Sequence, residues 1–353
     1  MRPDADLAQD LAARVTAASA SRRALRPVGG DTKRFYGRDP PTEPLELRGH
    51  CGIVDYDPAE LVVTVRAGTT LAALEAALAA HGQELGFEPL RTGPGATIGG
   101  AVAAGLAGPA RPWRGAVRDH VLGARILDGR GRALAFGGRV IKNVAGYDLS
   151  RFMVGSLGCF GVLLELSLRT VPRVPCECTR VLESDLPEAL RLFARARREP
   201  WPVTAAAHLD GRAWLRLQGG PRAVAAATAA IGGEDAGAGP WAALRELSEP
   251  MLSSQGDLWR LGVPPATPPL ALEGQWLVDW GGALRWLRSA VPAPVLRAAV
   301  AAAGGTATLF RSGDPLAERW SPPAPALLAV LRRLKAALDP DAILSPGRLY
   351  ADL

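Results

Sequence analysis

Two stretches decide how this chain is read: Pro27-Val28-Gly29-Gly30-Asp31-Thr32-Lys33 and Gly93-Pro94-Gly95-Ala96-Thr97-Ile98-Gly99-Gly100. The first follows a short strand expected over Ala24 to Val28. Consecutive glycines after a strand let successive backbone N–H groups point into one concavity, which suits the negative charge of a phosphate. Thr97 adds a hydroxyl, and the second loop runs into Ala101-Val102-Ala103-Ala104-Gly105, residues small enough for close approach of a ligand or another backbone. Two such loops suit a diphosphate better than a monophosphate. Either loop alone fits an ordinary turn equally well. The dinucleotide fingerprint G-x-G-x-x-G fails, because Ile98 stands where its third glycine belongs. A Walker A loop fails too, since no hydroxyl residue follows Lys33 and the spacing is wrong.

Working outward, Leu7, Leu11 and Val15 fall on one face of a helix expected over Asp6 to Ala18. Ile53 to Tyr56 and Leu61 to Val65 read as strands joined by a turn at Asp57-Pro58. A helix from Thr70 to His81 follows, with Thr69 as its cap and Gly82 as its stop. Val121 to Leu127 and Arg132 to Phe136 form a hairpin across Asp128-Gly129-Arg130-Gly131, and a strand runs from Gly161 to Thr170. Composition changes at Pro172-Arg173-Val174-Pro175, where a domain boundary is expected. Beyond it lie helices over Leu186 to Arg198 and Ala223 to Ile231, with strands over Ala205 to Leu209 and Ala213 to Leu217. An amphipathic helix over Ala324 to Leu338 leads into Ser345-Pro346-Gly347-Arg348. The fold class is therefore α+β, with three segments: 1–172, an insert over 173–305, and a C-terminal piece over 306–353.

A chain of 353 residues exceeds one ordinary core, which fits this division. The formal charge of +6 comes from scattered arginines without basic runs or interleaved aromatics, so nucleic acid is not expected as a partner. Acidic small molecules are. Cys51, Cys159, Cys176 and Cys178 form no C-x-x-C pair and no zinc-type spacing with His50, His81, His120 or His208, so no metal site is expected and reduced thiols fit a cytoplasmic setting. No apolar h-region follows Met1-Arg2-Pro3-Asp4, and the most apolar later stretch, around Ala298 to Phe310, is too short to span a bilayer.

Three further segments join the glycine loops: Trp113 to Gly123, Gly155-Ser156-Leu157-Gly158-Cys159-Phe160-Gly161-Val162, and Ser345-Pro346-Gly347-Arg348. In order and spacing the set resembles the FAD-binding domain of the vanillyl-alcohol oxidase and p-cresol methylhydroxylase (PCMH-type) superfamily. The run Arg139 to Arg151, with Pro346-Gly347-Arg348-Leu349-Tyr350, is similar to the small FAD-binding subunits of bacterial glycolate oxidases.

The resemblance implies a PCMH-type domain of two α+β subdomains, a smaller α/β cap insert, and a C-terminal segment that returns to complete the FAD site. It implies that Pro27 to Lys33 and Pro94, Gly95, Ala96, Thr97, Gly99 and Gly100 cradle the pyrophosphate. Gly155, Gly158, Gly161 and Val162 would line adenosine and flavin, with Gly105 and Asp119 as further contacts. Lys142, Asn143, Tyr147 and Arg348 would face the isoalloxazine, and Lys142, Tyr147 and Arg348 are the catalytic candidates. Two positions depart from the superfamily: Ser345 replaces a common asparagine and Cys159 a common threonine. The first loop has no histidine, the usual site of covalent attachment, so dissociable FAD is implied.

Flavin accepts two electrons, and a nearby cation such as Lys142 or Arg348 would balance the resulting negative charge. Oxidising a 2-hydroxy acid also needs an arginine clamp for the carboxylate and a base for the hydroxyl proton. Larger catalytic relatives carry a histidine-rich metal motif in the cap. Here His208 is the insert's one histidine and reads as a strand surface residue. The resemblance therefore implies an FAD-carrying subunit of a glycolate oxidase complex, oxidising glycolate to glyoxylate with a larger catalytic flavoprotein and an iron-sulphur subunit as partners. Such a complex would be cytoplasmic or peripheral at the inner membrane. A stand-alone 2-hydroxy-acid dehydrogenase and a non-catalytic structural flavoprotein are the alternatives.

Overall fold

The structure is a computed structural model that describes residues 4–138 and 147–353, the side chains of 147 and 148 excepted. Its central element is the strand Val162–Pro172, buried along most of its length because sheet neighbours flank both edges and helices cover it. Val62–Arg66 and Val121–Leu127 pair with it antiparallel, Ile53–Asp57 and Ala133–Gly137 extend the sheet outward, and Gln83–Leu85 pairs at its end. Strands paired on both edges and covered on their faces favour nearly continuous apolar sequence. Leu-Leu-Glu-Leu-Ser-Leu over 163–168 supplies it.

Against this sheet packs the helix Leu71–Ala79, which buries Leu71, Leu74 and Leu78. Its cap is Thr70, whose hydroxyl accepts from the Ala73 N–H, and not Thr69 as the sequence reading expected. Thr69 is buried and accepts instead from the Gly52 N–H, so tertiary bonding claimed the first of two adjacent threonines.

The small parallel pair Leu25–Val28 and Glu43–Glu46 carries the first glycine loop at its end. The chain's C-terminal segment returns to it. Leu25 donates to the Ile343 carbonyl at 2.7 Å, and Ser345 donates back to the Leu25 carbonyl at 2.7 Å. Lys335, on the helix Pro325–Leu338, secures the return by donating to the carbonyls of Cys159 at 2.7 Å and Leu344 at 2.6 Å.

The insert is one antiparallel sheet of eight strands in the order Glu234–Asp235, Cys176–Glu183, Arg212–Gly219, Val203–Leu209, Gln275–Asp279, Leu284–Arg288, Leu258–Gly262, Thr306–Arg311. Helices Leu186–Ala196 and Pro221–Ile231 bury Phe193 and Val224 against one part, and Ala293–Ala302 buries Leu296 and Val300 against another. Its edge strand lies beyond the expected boundary at 305. Hydrogen bonds to Leu258–Gly262 make Thr306–Arg311 part of the cap sheet, so the C-terminal return begins after Arg311. The strands Leu258–Gly262, Gln275–Asp279 and Leu284–Arg288 escaped the sequence reading, because tryptophans and arginines interrupt a simple alternating pattern.

Ion pairs tie the cap to the first domain. Arg216 meets Glu88 at 2.7 Å, Arg245 and Arg91 share Glu75, and Arg114 reaches Glu84 and Gln218. An aromatic cluster fills the seam, with Tyr36, Trp280, Trp286 and Phe310 packed beside Ala104, Leu106 and Leu157.

Candidate functional site

The two glycine loops meet. A Cβ on Gly30 would fall inside the carbonyl of Gly95, and one on Gly29 would fall inside the Thr97 hydroxyl. Only glycine permits this approach. The floor of a groove forms between them. The groove is open to solvent and is lined by every residue from Arg26 to Arg34. Thr97, Gly99, Gly100, Ala103, Ala104, Leu157, Gly158, Gly161, Leu163 and Arg348 form the rest of the wall, with Leu47 and Ala67.

Local structure explains the shape. Thr97 caps the helix Ile98–Ala104 by accepting from the Gly100 N–H at 3.2 Å, which aims that helix's first turn at the groove. Asp31 has a left-handed backbone (φ 52°), and its carboxylate accepts from buried Arg26 at 2.7 Å, which holds the first loop open. Among the described residues the N–H groups of Gly29, Gly30, Asp31, Thr32 and Lys33 donate to no protein acceptor. Lys33 has no ion pair among the described residues, and burial pulls its ammonium down to about 8. Unpartnered N–H groups beside a desolvated cation make a site short of an anion.

The two departures lie together. The Cys159 thiol donates to the Ser345 carbonyl at 3.4 Å, and a Cβ on Gly158 would stand 3.3 Å from the Ser345 hydroxyl. Burial pushes the Cys159 thiol up to about 11, which makes it an inert packing group. Among the described residues the buried hydroxyls of Ser345 and Ser156 have no partner beside this stretch of wall. Orphaned hydroxyls next to a groove fit a polar ligand that brings its own acceptors.

Other expected residues fall elsewhere. Pro94 and Ala96 do not line the groove, and Gly95 lines a separate opening with Arg48 and Thr70. Gly105 ends the helix in a left-handed conformation against Gly155. Val162 turns its side chain into the core beside Leu25 and Leu45, leaving Gly161 and Leu163 on the wall. Asp119 is an exposed helix cap, accepting from the Ala116 N–H at 2.8 Å. Lys142 and Asn143 lie outside the described residues, and Tyr147 begins the helix Tyr147–Phe152. Arg348 lines the groove, but its guanidinium is engaged by the carbonyls of Arg38, Tyr36 and Arg34. It braces the segment after the first loop instead of offering a free charge. His208 sits on its strand and bonds the Ser184 carbonyl at 3.0 Å. The sequence reading missed Arg26, Leu47, Ala67 and Leu163, whose apolar or ion-paired characters carry no motif.

A family model described as an FAD binding domain matches residues 5–137. Over 353 residues, 100% of each chain, this protein is 44% identical to the glycolate oxidase subunit GlcE of Escherichia coli. The chain belongs to the GlcE family. It is thus a member of an FAD-binding oxidoreductase family. The glycolate oxidase subunit GlcD of Bacillus subtilis is 30% identical over 178 residues, 48% of this chain and 37% of that protein. A D-lactate dehydrogenase of Archaeoglobus fulgidus is 33% identical over 147 residues, 41% of this chain and 33% of that protein. Among solved structures, alkyldihydroxyacetonephosphate synthase superposes with a TM-score of 0.65 at 13% identity, covering 96% of this chain and 74% of that one. That likeness bears on fold alone, and it agrees with the PCMH-type architecture.

Proposed function

We propose that this protein is the FAD-carrying subunit of a glycolate oxidase complex, oxidising glycolate to glyoxylate with electrons leaving through a larger flavoprotein subunit and an iron-sulphur subunit. The observation that carries the cofactor assignment is the groove itself: two interlocked glycine loops with, among the described residues, five unpartnered N–H groups and an unpaired Lys33. On this reading Gly29 to Lys33 and Thr97, Gly99 and Gly100 hold the pyrophosphate. Gly158, Gly161 and the backbone of Val162 border the adenosine, and Ser345 and Ser156 supply hydroxyls. FAD, when bound, supplies two-electron redox chemistry. The protein's part is to bind it, orient it and exclude water along the Ala103, Ala104 and Leu157 wall.

Full-length likeness to GlcE supports the complex, and partial likeness to GlcD supports a flavoprotein partner of the same fold. Among the described residues no helix is long and apolar enough to cross a membrane. On this reading the protein meets the membrane, where it does, peripherally through the complex. Anaerobic addition of glycolate to the FAD-loaded chain, followed at the flavin absorbance band, tests the reading. Expected is no bleaching until the larger flavoprotein is added. Prompt bleaching in isolation would make the chain a dehydrogenase by itself. A colourless chain whose melting temperature FAD does not raise would overturn the cofactor assignment.

A further inference from the structure

The seam between groove and cap holds two arginines that form no ion pair among the described residues. Arg111, on the short helix Arg111–Arg114, places its guanidinium carbon 4.4 Å from the centroid of the Trp280 ring. Arg260, on the cap strand Leu258–Gly262, stands 4.8 Å from the same ring. Among the described residues neither guanidinium has an ion pair or hydrogen bond, and both side chains are only half-buried. The carboxylates that act on them do so from a distance and have nearer partners: Asp279 faces Arg260 but accepts from the Trp280 N–H at 2.6 Å, and Asp119 faces Arg111 but accepts from the Ala116 N–H at 2.8 Å. Glu88 pairs with Arg216 at 2.7 Å. Burial disfavours the charge on both arginines, a cost that an anionic ligand would offset.

The surroundings limit what that ligand is. Trp280 is fixed by its indole N–H to the Gly108 carbonyl at 3.0 Å, and it shares an aromatic cluster with Tyr36, Trp286 and Phe310, against which Trp320 packs. Tyr36 is close enough to Arg260 for their charges to interact. Ala104 and Leu157 belong both to this cluster and to the groove wall, so the two guanidiniums stand where the groove meets the cap. Planar forked donors on an aromatic floor match a small planar carboxylate.

We propose that Arg111 and Arg260 form a binding site on this chain for the carboxylate of a small organic acid, with Trp280 as its floor. Taking that acid to be a 2-hydroxy acid rests on the function proposed above. The site places acid recognition on the FAD-carrying subunit itself.

Isothermal titration of sodium glycolate into the FAD-loaded full chain tests this. Arg111→Gln and Arg260→Gln should each weaken binding at least about tenfold, from the loss of a charge-assisted pair. Flavin content should be unchanged, and Arg222→Gln, at an exposed position, should bind as the parent does. Glycolamide, which lacks the anionic carboxylate, should bind at least about tenfold more weakly than glycolate. Equal binding by parent and the Arg111→Gln/Arg260→Gln double variant overturns the proposal. So does a parent chain that binds neither glycolate nor D-lactate, or binds glycolamide equally well. If the glutamine variants misfold, Arg260→Lys and the glycolamide comparison decide the matter. Failure of the cofactor assignment reads out separately, as a colourless chain.

Discussion

Gly30 and Gly95, far apart in the chain, pass so closely that a side chain on Gly30 would occupy the carbonyl of Gly95. The contact interlocks the two loops that form the groove floor. Gly30→Ala must push them apart, and FAD retention should fall at least about tenfold while far-UV circular dichroism stays near that of the parent, because the clash is confined to loops. Gly220→Ala meets nothing within 4 Å and should leave flavin content unchanged. The absorbance ratio of flavin to protein reads both.

Lys33 makes FAD affinity depend on pH. In the cofactor-free fold burial brings its ammonium down to about 8, whereas an adjacent diphosphate favours the protonated form. Affinity should therefore be greatest below about pH 8 and decline as pH rises through it. Lys33→Met should bind roughly tenfold more weakly at pH 7 and lose most of that slope. Equal slopes in the two proteins, measured by fluorescence titration, would remove Lys33 from the cradle.

Asp279 should give stability a pH dependence of opposite origin. Burial raises its carboxyl from 3.8 to about 7 in the folded chain. The native state then binds the proton more tightly than the unfolded one, so this contribution is complete below about pH 4 and is lost as pH rises to about 7. Asp279→Asn keeps an acceptor for the Trp280 N–H. Its melting temperature relative to the parent should improve between pH 5 and pH 8, and a constant difference would count against a titrating Asp279.

Glu88 and Arg216 form a buried pair across the seam between domain and cap. Glu88→Gln leaves the buried Arg216 charge with neutral hydrogen-bond partners such as the Thr204 hydroxyl, with an expected cost of up to about 3–5 kcal/mol. For a chain of 353 residues that is a melting shift of about 4–7 °C. The Glu88→Met/Arg216→Met double variant should recover much of the loss, because no buried charge is left unpaired. Differential scanning calorimetry of the three chains would show whether it does.

Local chemistry was legible wherever a residue acts through its own backbone or its near neighbours. The hairpin Val121–Leu127 with Ala133–Gly137, the helix Leu71–Ala79 and the crowded glycines all follow from turn residues and apolar spacing. Thr70 displaced Thr69 as the helix cap because a distant N–H, that of Gly52, competed for the other hydroxyl. Arg348 reads in sequence as a free cation near the flavin, yet three carbonyls from the segment after the first loop engage it.

The sequence by itself determined the α+β class and the pair of glycine loops, whereas the resemblance to the PCMH-type superfamily is what implied that the loops share one groove and that the C-terminal segment returns to it. Glycine's backbone freedom and short-range periodicity are properties that a linear string carries. Only the tertiary structure decided that Arg111, Arg260 and Trp280 share one seam, and that Ser345 and Cys159 adjoin one wall. Those meetings depend on sheet register and domain packing, in which many weak contacts act together and no single residue announces its partner.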